Sequence, residues 1–239
     1  LGLIEYQRGN YRLALKAIEQ AILVNSNISM YHLNRARILR FLGLGADAIK
    51  AAHSALALEA DNAEIYCELA GALLDVGKPT EALIAAQNAF QLAPNTPEVR
   101  KNLAIAHFEE GQLNQNLKNY YAAEKHYRAV FKLDPSSLEA LVNLGNVLRL
   151  LYRLEEAQTC YESAIAINSN IPEIYGNMGV VIQEIGDTDR AIEFYDKAIK
   201  MDPKNAEIRR NRAQALLKLG RFNEGWREFE WRWNTKHFE

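Results

Sequence analysis

The chain has 239 residues, with 28 Lys and Arg against 30 Asp and Glu, and 49% of its residues are hydrophobic. Its net charge of −2 provides no excess of basic residues, so neither a nucleic-acid partner nor an anionic membrane surface is expected. The composition is that of a folded protein and argues against disorder as the main state.

The cysteine content and the hydropathy argue against a disulfide-rich protein and against a membrane-spanning one. Cys67 and Cys160 are too few for a disulfide framework and form no Cys-x-x-Cys zinc motif, so a reducing, cytoplasmic location is expected. No run reaches the roughly 18 apolar residues that cross a bilayer, so membrane insertion is not expected. The first residue is not Met, which together with the repeat phase below predicts a segment of a longer protein.

A short motif recurs along the chain at a step of 34 residues. Ala55-Leu56-Ala57-Leu58 returns in phase as a motif that begins at Ala89, and the motif at Ala164 returns at Ala198. This period divides the chain into a partial unit at 1–28 and full units at 29–62, 63–96, 97–137, 138–171, 172–205 and 206–239. The unit at 97–137 has 41 residues, so it carries seven more than the others.

Two positions of every unit hold only Ala or Gly. The eighth position is occupied by Gly2, Ala36, Ala70, Ala104, Gly145, Gly179 and Ala213. The twentieth, after allowance for the longer unit, is occupied by Ala14, Ala48, Ala82, Ala123, Ala157, Ala191 and Gly225. Small residues beside larger apolar ones at helical spacing are what two closely crossing helices require. Each unit is therefore predicted to be a pair of antiparallel helices, which makes the fold all-α.

Glycine and proline predict where these helices turn and end. Glycine at the fifteenth position predicts the turn within a pair, at Gly9, Gly43, Gly77, Gly111, Gly186 and Gly220. Pro94, Pro135 and Pro203 predict the ends of second helices. Pro97 and Pro172 predict the starts of first helices, where the missing N–H costs nothing.

The seven extra residues fall near 111–117, because Asn119-Tyr120 realigns with the usual turn. Seven residues make about two helical turns, so the helix pair could lengthen without rotating its faces. Two interpretations stay open: a protruding tip that contacts a partner, and a tolerated loop.

The residues at other positions of the unit complete a known signature. One unit reads Tyr175, Met178-Gly179, Ile182, Ala191, Tyr195 and Pro203, and the preceding one reads Leu141, Leu144-Gly145, Leu148, Ala157 and Tyr161. This pattern resembles the tetratricopeptide repeat, and it covers the whole chain. The resemblance implies a right-handed α-α superhelix, that is, a solenoid of antiparallel helix pairs whose first helices line a concave groove. It also implies a non-catalytic scaffold that binds an extended peptide or a partner protein in that groove.

Asparagine recurs at the sixth position, although it is a mediocre helix former. The residues are Asn34, Asn102, Asn143, Asn177 and Asn211, and only Glu68 breaks the series. A carboxamide both donates and accepts hydrogen bonds, as the backbone of an extended peptide does. By resemblance to repeats of the O-linked N-acetylglucosamine transferase type, where a similar ladder holds substrate backbone, these five are predicted peptide contacts. The alternative is that they bond neighbouring backbone between units. The flanking residues predicted to select among peptides are Arg37, Arg40, Arg149 and Gln183.

A second binding mode of this family clamps a C-terminal carboxylate between basic and Asn side chains. Asn146 and Asn177 have the spacing of the two Asn residues, which makes Asn146 a further candidate peptide contact. The positions that should be basic are instead Val142, Glu207 and Asn211. Capture of a chaperone tail is therefore not predicted.

The last unit departs from the others by its tryptophans, Trp226, Trp231 and Trp233. It resembles a motif that closes such arrays in bacterial proteins just before a glycosyltransferase-like or other catalytic domain. It predicts either a surface on which a C-terminal catalytic domain docks or a terminal cap. An alternative function is thus the substrate-recruiting arm of a protein glycosyltransferase whose catalytic domain lies outside the chain. Self-association through the partial first unit also stays open.

Residues for catalysis or cofactor binding are not apparent in the sequence. The five His residues have no metal-ligand spacing, and no nucleotide-binding loop or nucleophile elbow occurs. His107 falls at an apolar packing position and is predicted to be a core residue. Cys67 falls on the groove face, where a small packing residue is favoured over a reactive thiol. We therefore expect no catalytic residue, no metal and no cofactor in this segment.

Overall fold

The computed structural model describes residues 2–234, and within that range the chain forms α-helices, one 3-10 helix and no strand. The α-helices are α1 (Gly2–Gln7), α2 (Tyr11–Val24), α3 (Ser29–Phe41), α4 (Gly45–Leu58), α5 (Ala63–Asp75), α6 (Pro79–Leu92), α7 (Pro97–Asn116), α8 (Tyr120–Leu133), α9 (Leu138–Leu150), α10 (Leu154–Ile167), α11 (Pro172–Ile185), α12 (Thr188–Met201), α13 (Ala206–Lys218) and α14 (Phe222–Phe229). The 3-10 helix, Glu230–Asn234, follows α14 directly.

The helices pack as successive pairs within two compact units. The first unit contains residues 2–117 and 132–135, and the second contains 118–131 and 136–234. In the first unit α1 packs on α2, α3 on α4 and α5 on α6, and each pair also packs on the helix that follows it. In the second unit α9 with α10, α11 with α12 and α13 with α14 form pairs in the same way. The all-α arrangement of helix pairs predicted from the period is confirmed.

The small residues at the eighth and twentieth positions lie where paired helices approach most closely. The Ala residues at these positions are buried, and most of them are fully so. A Cβ on Gly145 would lie 2.8 Å from Cε1 of Tyr161, and one on Gly179 would lie 2.5 Å from Cε1 of Tyr195. Both distances are well inside van der Waals contact, so these two positions need Gly because a buried Tyr ring occupies the space.

The turns within the pairs confirm most of the predicted glycines and correct one. Gly9, Gly43, Gly77, Gly186 and Gly220 have positive φ, as expected for residues that end a helix. Gly111 was predicted to be such a turn, and this is wrong: it lies buried inside α7. The turn falls instead at Lys118 with φ 61°, and the next pair turns at Tyr152 with φ 57°.

The extra residues of the long unit are helical. Helix α7 has 20 residues whereas α5 has 13, so the interpretation as a loop is wrong and the chain instead gains about two helical turns. Glu110, at the point of extension, is buried and accepts hydrogen bonds from Thr80 Oγ1 at 2.9 Å and Asn114 Nδ2 at 3.2 Å. The Thr80 bond ties the base of the extension to α6, and the Asn114 bond lies within α7. A partner-binding role for the extension stays a prediction.

The helix ends follow the predicted proline positions. Helices α7 and α11 begin at Pro97 and Pro172. Pro94, Pro135 and Pro203 each lie two residues beyond the end of a second helix. Because a helix-ending Pro and a helix-starting cap follow one another closely, each connection between pairs is short and fixed.

Candidate functional site

First helices of three successive pairs line a cleft in the first unit. The cleft encloses about 1090 Å³ of open space, and its walls come from α3, α5 and α7. Its polar lining includes Arg37 and Arg40 from α3, Glu68 from α5 and Asn102 from α7. In this unit the packing of α3 on α5 and of α5 on α7 leaves a cleft along the first helices, where the sequence predicts a groove.

The two arginines of this cleft belong to an ion-paired cluster. Arg37 pairs with Glu64 and, at 3.4 Å, with Glu68. Arg40 lies 2.9 Å from Glu68 and 2.7 Å from Asp75. Burial lowers the pKa of Arg37, but its hydrogen bonds with Glu64 and Glu68 outweigh that effect and leave the pKa raised. The candidate selectivity residues Arg37 and Arg40 therefore face the cleft with their charges already balanced by the next helix.

Cys67 and Asn102 lie side by side in the same cleft. Burial raises the pKa of the Cys67 thiol, the hydrogen bond with Asn102 lowers it, and the nearby Glu98 and Glu68 raise it again. The net effect keeps the thiol protonated and therefore a poor nucleophile. The Asn102 side chain thus already has a hydrogen-bond partner on α5, the Cys67 thiol.

In the second unit, the carboxamides of α9 and α11 are joined to a buried tyrosine. Asn177 Nδ2 donates to Asn146 Oδ1 at 3.3 Å, and the Tyr161 hydroxyl donates to the same oxygen at 2.7 Å. Tyr161 is fully buried on α10, with its ring against Gly145. The structure thus brings together two of the predicted Asn contacts, and it adds Tyr161, which the sequence identified only as part of the packing signature.

A second cleft in this unit lies between α11 and α13. It encloses about 660 Å³, and its lining includes Gln183, Tyr195, Asn211 and Lys218. The Tyr195 hydroxyl donates to Gln183 Oε1 at 3.0 Å. Asn211 accepts only a long contact of 3.5 Å from Arg210. Two predicted contacts, Gln183 on α11 and Asn211 on α13, therefore line the same cleft.

The contacts between first helices repeat with one register. Arg37 meets Glu68 and Asn146 meets Asn177, each 31 residues further along the chain. Arg40 meets Asp75 in the same way as Arg149 meets Glu184 at 2.8 Å, each pair 35 residues apart. The ninth position of one unit thus contacts the sixth position of the next. This explains the break in the Asn series, because Glu68 lies opposite an arginine.

Other members of the Asn series have no such partner. The side chains of Asn34 and Asn143 are half-buried and make no hydrogen bond with the described part of the chain. Asn34 lines a small cavity of about 330 Å³ beside Tyr6 and Ile38. A half-buried carboxamide without a partner retains its full capacity to bind a ligand backbone.

The three tryptophans differ in their surroundings. Trp226 and Trp233 are 58% and 56% exposed. Trp231 is partly buried, and the Arg209 guanidinium lies 4.5 Å above its ring. Glu228 holds Arg209 in place at 2.7 Å. Two of the candidate docking residues are therefore accessible, and the third is covered by a cation.

Comparison with known families identifies the repeat. Four models described as tetratricopeptide repeat match the chain, at residues 1–64 and 33–97, 104–137, 136–204 and 184–225. The chain belongs to the tetratricopeptide-repeat family. Its fold is accordingly that of a protein–protein interaction scaffold.

Curated relatives of this tetratricopeptide-repeat protein are similar over part of its length. The chain is 32% identical over 95 residues to protein FlbA of Caulobacter vibrioides, covering 40% of this chain and 15% of FlbA. It is 33% identical over 97 residues to the probable UDP-N-acetylglucosamine–peptide N-acetylglucosaminyltransferase SEC of Arabidopsis thaliana, covering 38% and 9%. It is 25% identical over 134 residues to protein O-mannosyl-transferase TMTC3 of Homo sapiens, covering 50% and 15%. The chain thus matches only a small part of each relative.

Solved structures with the same fold cover most of the chain. The crystal structure of YrrB, described as a TPR protein with an unusual peptide-binding site, superposes with a TM-score of 0.63 at 19% identity, covering 81% of this chain and 96% of YrrB. Pseudomonas aeruginosa pilF superposes with a TM-score of 0.61 at 18% identity, covering 90% and 94%. At these identities the likeness concerns the fold alone.

The described repeats offer neither a metal-binding cluster nor a membrane-spanning helix. Between residues 2 and 234, no group of three or more His, Cys, Asp or Glu side chains is arranged to hold a metal ion. Within the same range, no helix combines the length and the apolar character needed to cross a membrane.

Proposed function

We propose that this tetratricopeptide-repeat segment binds an extended peptide, or an extended part of a partner protein, along its first helices and catalyses no reaction itself. The observation that carries the proposal is the cleft in the first unit, whose walls come from α3, α5 and α7. A cleft that crosses successive parallel elements suits a ligand that runs across them. The peptide-binding site named for YrrB supports a peptide as the ligand.

The chemistry of the Asn series supports recognition of backbone. Asn34 and Asn143 have carboxamides without hydrogen-bond partners in the described chain, and Asn211 has only a long one. Each can donate to a peptide carbonyl and accept from a peptide N–H. Because rigid helices hold these groups before the ligand arrives, little conformational entropy is lost on binding.

Removal of three carboxamides from the second unit tests this proposal. The probe is a 12-residue peptide selected on the immobilised protein from a random phage-displayed library. Asn143→Ala, Asn177→Ala and Asn211→Ala in combination should weaken its binding by about tenfold or more, since each lost hydrogen bond is worth roughly 0.5–1.5 kcal/mol. Circular dichroism should report unchanged helix content.

The matched control replaces exposed residues of second helices in the same unit, namely Thr159→Ala, Ser163→Ala and Glu193→Ala. This control should bind the peptide as the unmodified protein does. Unchanged affinity in the Asn variant, or an equal loss in both variants, would overturn groove binding through the Asn series.

A second candidate is that the segment recruits substrates for a glycosyltransferase domain outside the chain. The similarity to two glycosyltransferases supports it, as do the exposed rings of Trp226 and Trp233 near the C-terminal end. Exposed tryptophans with a polar surround are typical of protein interfaces. On this reading Trp226, Trp231 and Trp233 contact the catalytic domain.

The coding sequence beyond Glu239 tests the second candidate directly. A glycosyltransferase domain encoded there would support a recruiting arm, and a stop codon would exclude it. If such a domain is present, Trp226→Ala with Trp233→Ala should loosen its contact with the repeats, measured as faster proteolysis of the junction. Resistance equal to that of the unmodified protein would argue against the tryptophans as the docking surface.

A further inference from the structure

The Asn146 carboxamide lies at the contact between α9 and α11 in the second unit. Its oxygen accepts two hydrogen bonds, from Asn177 Nδ2 at 3.3 Å and from the Tyr161 hydroxyl at 2.7 Å. A carbonyl oxygen has two lone pairs, so both are used. The Asn146 amide makes no hydrogen bond with the described chain, and the Asn177 oxygen makes none either. The pair thus has one donor group and one acceptor without partners.

Tyr161 is placed to hold that arrangement. Its ring is fully buried and packs against Gly145, where no side chain larger than hydrogen fits. Burial also raises the pKa of Tyr161, so the hydroxyl keeps its proton and continues to donate in ordinary buffers. A fixed ring and a protonated hydroxyl leave the Asn146 oxygen little freedom to turn.

The first unit shows what the same contact looks like without a tyrosine. There the ninth and sixth positions are Arg37 and Glu68, joined by charge. The position that corresponds to Tyr161 is Ala52, which has no polar group. Opposite charges hold each other without help, whereas two neutral carboxamides can each rotate. The Tyr161 hydroxyl bonds the neutral pair, whereas at the same position of the next repeat the Tyr195 hydroxyl bonds Gln183.

We propose that Tyr161 is a positioning residue for peptide recognition: it fixes the Asn146–Asn177 pair so that the free amide of one and the free oxygen of the other bind the C=O and the N–H of a single residue of an extended ligand. This inference rests on the proposed groove function and names the chemical feature that this part of the groove recognises. In an extended chain the C=O and the N–H of one residue point to the same side, so together they offer one acceptor and one donor that complement the pair. Without Tyr161 the pair would have to be ordered at the moment of binding, which weakens affinity.

The first arm of the test uses the free protein and needs no ligand. Tyr161→Phe keeps the ring in place and removes only the hydroxyl. Nitrogen-15 NMR should then show shifted Asn146 and Asn177 side-chain amide signals and faster exchange of their protons. The matched control is Tyr195→Phe, which removes the equivalent hydroxyl of the next repeat and should move the Gln183 signal instead. Unmoved Asn146 and Asn177 signals in Tyr161→Phe would overturn the positioning role.

The second arm measures binding of the phage-selected 12-residue peptide. Tyr161→Phe should weaken its binding about three- to tenfold, the factor that one hydrogen bond is worth. In an Asn146→Ala background the same change should cost less than about twofold, because a positioning residue acts only through its target. Equal losses in both backgrounds would overturn the proposal and indicate a general structural effect.

The two arms separate this inference from the proposed function. If no selected peptide is sensitive to the Asn143, Asn177 and Asn211 substitutions, groove binding fails, and recognition through the pair fails with it. In that case the NMR arm still decides whether Tyr161 orders Asn146. If the peptide is sensitive to those substitutions but Tyr161→Phe has no effect on its affinity, groove binding stands and the role of Tyr161 is overturned.

Discussion

Tyr152 ends helix α9 in a backbone conformation that favours glycine. Its φ is 57°, and the corresponding residue of the following repeat is Gly186. The Tyr152 N–H donates to the Arg149 carbonyl at 2.9 Å, so the turn is part of the helix end. The side chain is 87% exposed. Replacement by Gly would therefore relieve backbone strain without removing a packed side chain.

The size of the effect follows from two opposed contributions. The left-handed conformation costs an L-residue roughly 1–2 kcal/mol. Glycine also has more conformational freedom in the unfolded chain, which lowers the free energy of unfolding by roughly 0.4–1 kcal/mol and offsets part of the gain. We therefore expect Tyr152→Gly to raise the free energy of unfolding by about 0.5–1 kcal/mol. In a chain of this length that corresponds to about 1–4 °C in melting temperature.

Urea unfolding followed by circular dichroism measures this change as a shift of the midpoint. Lys118→Gly, at the other non-glycine turn with φ 61°, should give a similar gain, and the two should add because they lie in different turns. Gly186→Ala is the opposite control, since φ 113° is strained for Ala, and it should lower the midpoint. An unchanged or lower midpoint for Tyr152→Gly would refute the assignment of strain to this turn.

Three further predictions concern packing, thiol chemistry and the C-terminal segment. Gly179→Ala should lower the free energy of unfolding by about 1–2 kcal/mol in urea titration, because overpacking against Tyr195 outweighs the better helix propensity of Ala; a gain would mean that the ring moves aside freely. Burial raises the pKa of the Cys160 thiol to about 11, so its thiolate fraction at pH 8 is about 100-fold below that of an ordinary thiol. The rate of iodoacetamide labelling at Cys160 should therefore be low at pH 8 and increase up to pH 11. Fast labelling at pH 8 would contradict the burial. Deletion from Gly225 onward should lower the melting temperature because α14 no longer covers α13. Trp226→Ala, at an exposed ring, should change the free energy of unfolding by less than about 1 kcal/mol. An unchanged melting temperature after the deletion would leave docking as the only role of the segment.

The sequence predicts the helix pairs well because their contacts depend on residue size at fixed positions. Ala or Gly at two places in each unit is a requirement of close packing, and it is visible without a structure. The misplaced turn at Gly111 has a physical reason. Glycine is tolerated inside a helix when neighbouring contacts offset its cost, and here the buried Glu110 ties the helix to Thr80. No glycine marks the true turn at Lys118, so the signal used elsewhere was absent.

The candidate site was only partly predictable, since its polar contacts link different repeats. The sixth-position Asn residues could be found by their recurrence, but Asn146, the partner of Asn177, lies 31 residues away on another helix. Tyr161 was assigned to the packing signature, and its hydroxyl carries no pattern in the sequence. One signal was available: the single break in the Asn series, at Glu68, coincides with an arginine at the ninth position of the preceding unit.

That coincidence gives a prediction about Glu68 itself. Its side chain is 12% exposed and pairs with both Arg37 and Arg40. Glu68→Asn would restore the Asn series but leave both guanidinium groups without a carboxylate that they share. We expect the free energy of unfolding to fall by about 1–3 kcal/mol, as for loss of a partner from a partly buried charged hydrogen bond.

The double variant Arg37→Asn with Glu68→Asn recreates the Asn146–Asn177 pair at the equivalent contact. It should recover little stability, because Ala52 provides no hydroxyl to hold the new pair and Arg40 still lacks its second carboxylate. Ala52→Tyr would not restore stability, since the residue that would face the new ring is Ala36, whereas Gly145 faces the ring of Tyr161. If Glu68→Asn left the free energy of unfolding unchanged in urea titration, the pairing rule between ninth and sixth positions would be refuted. Residue choice in this groove would then reflect ligand binding alone.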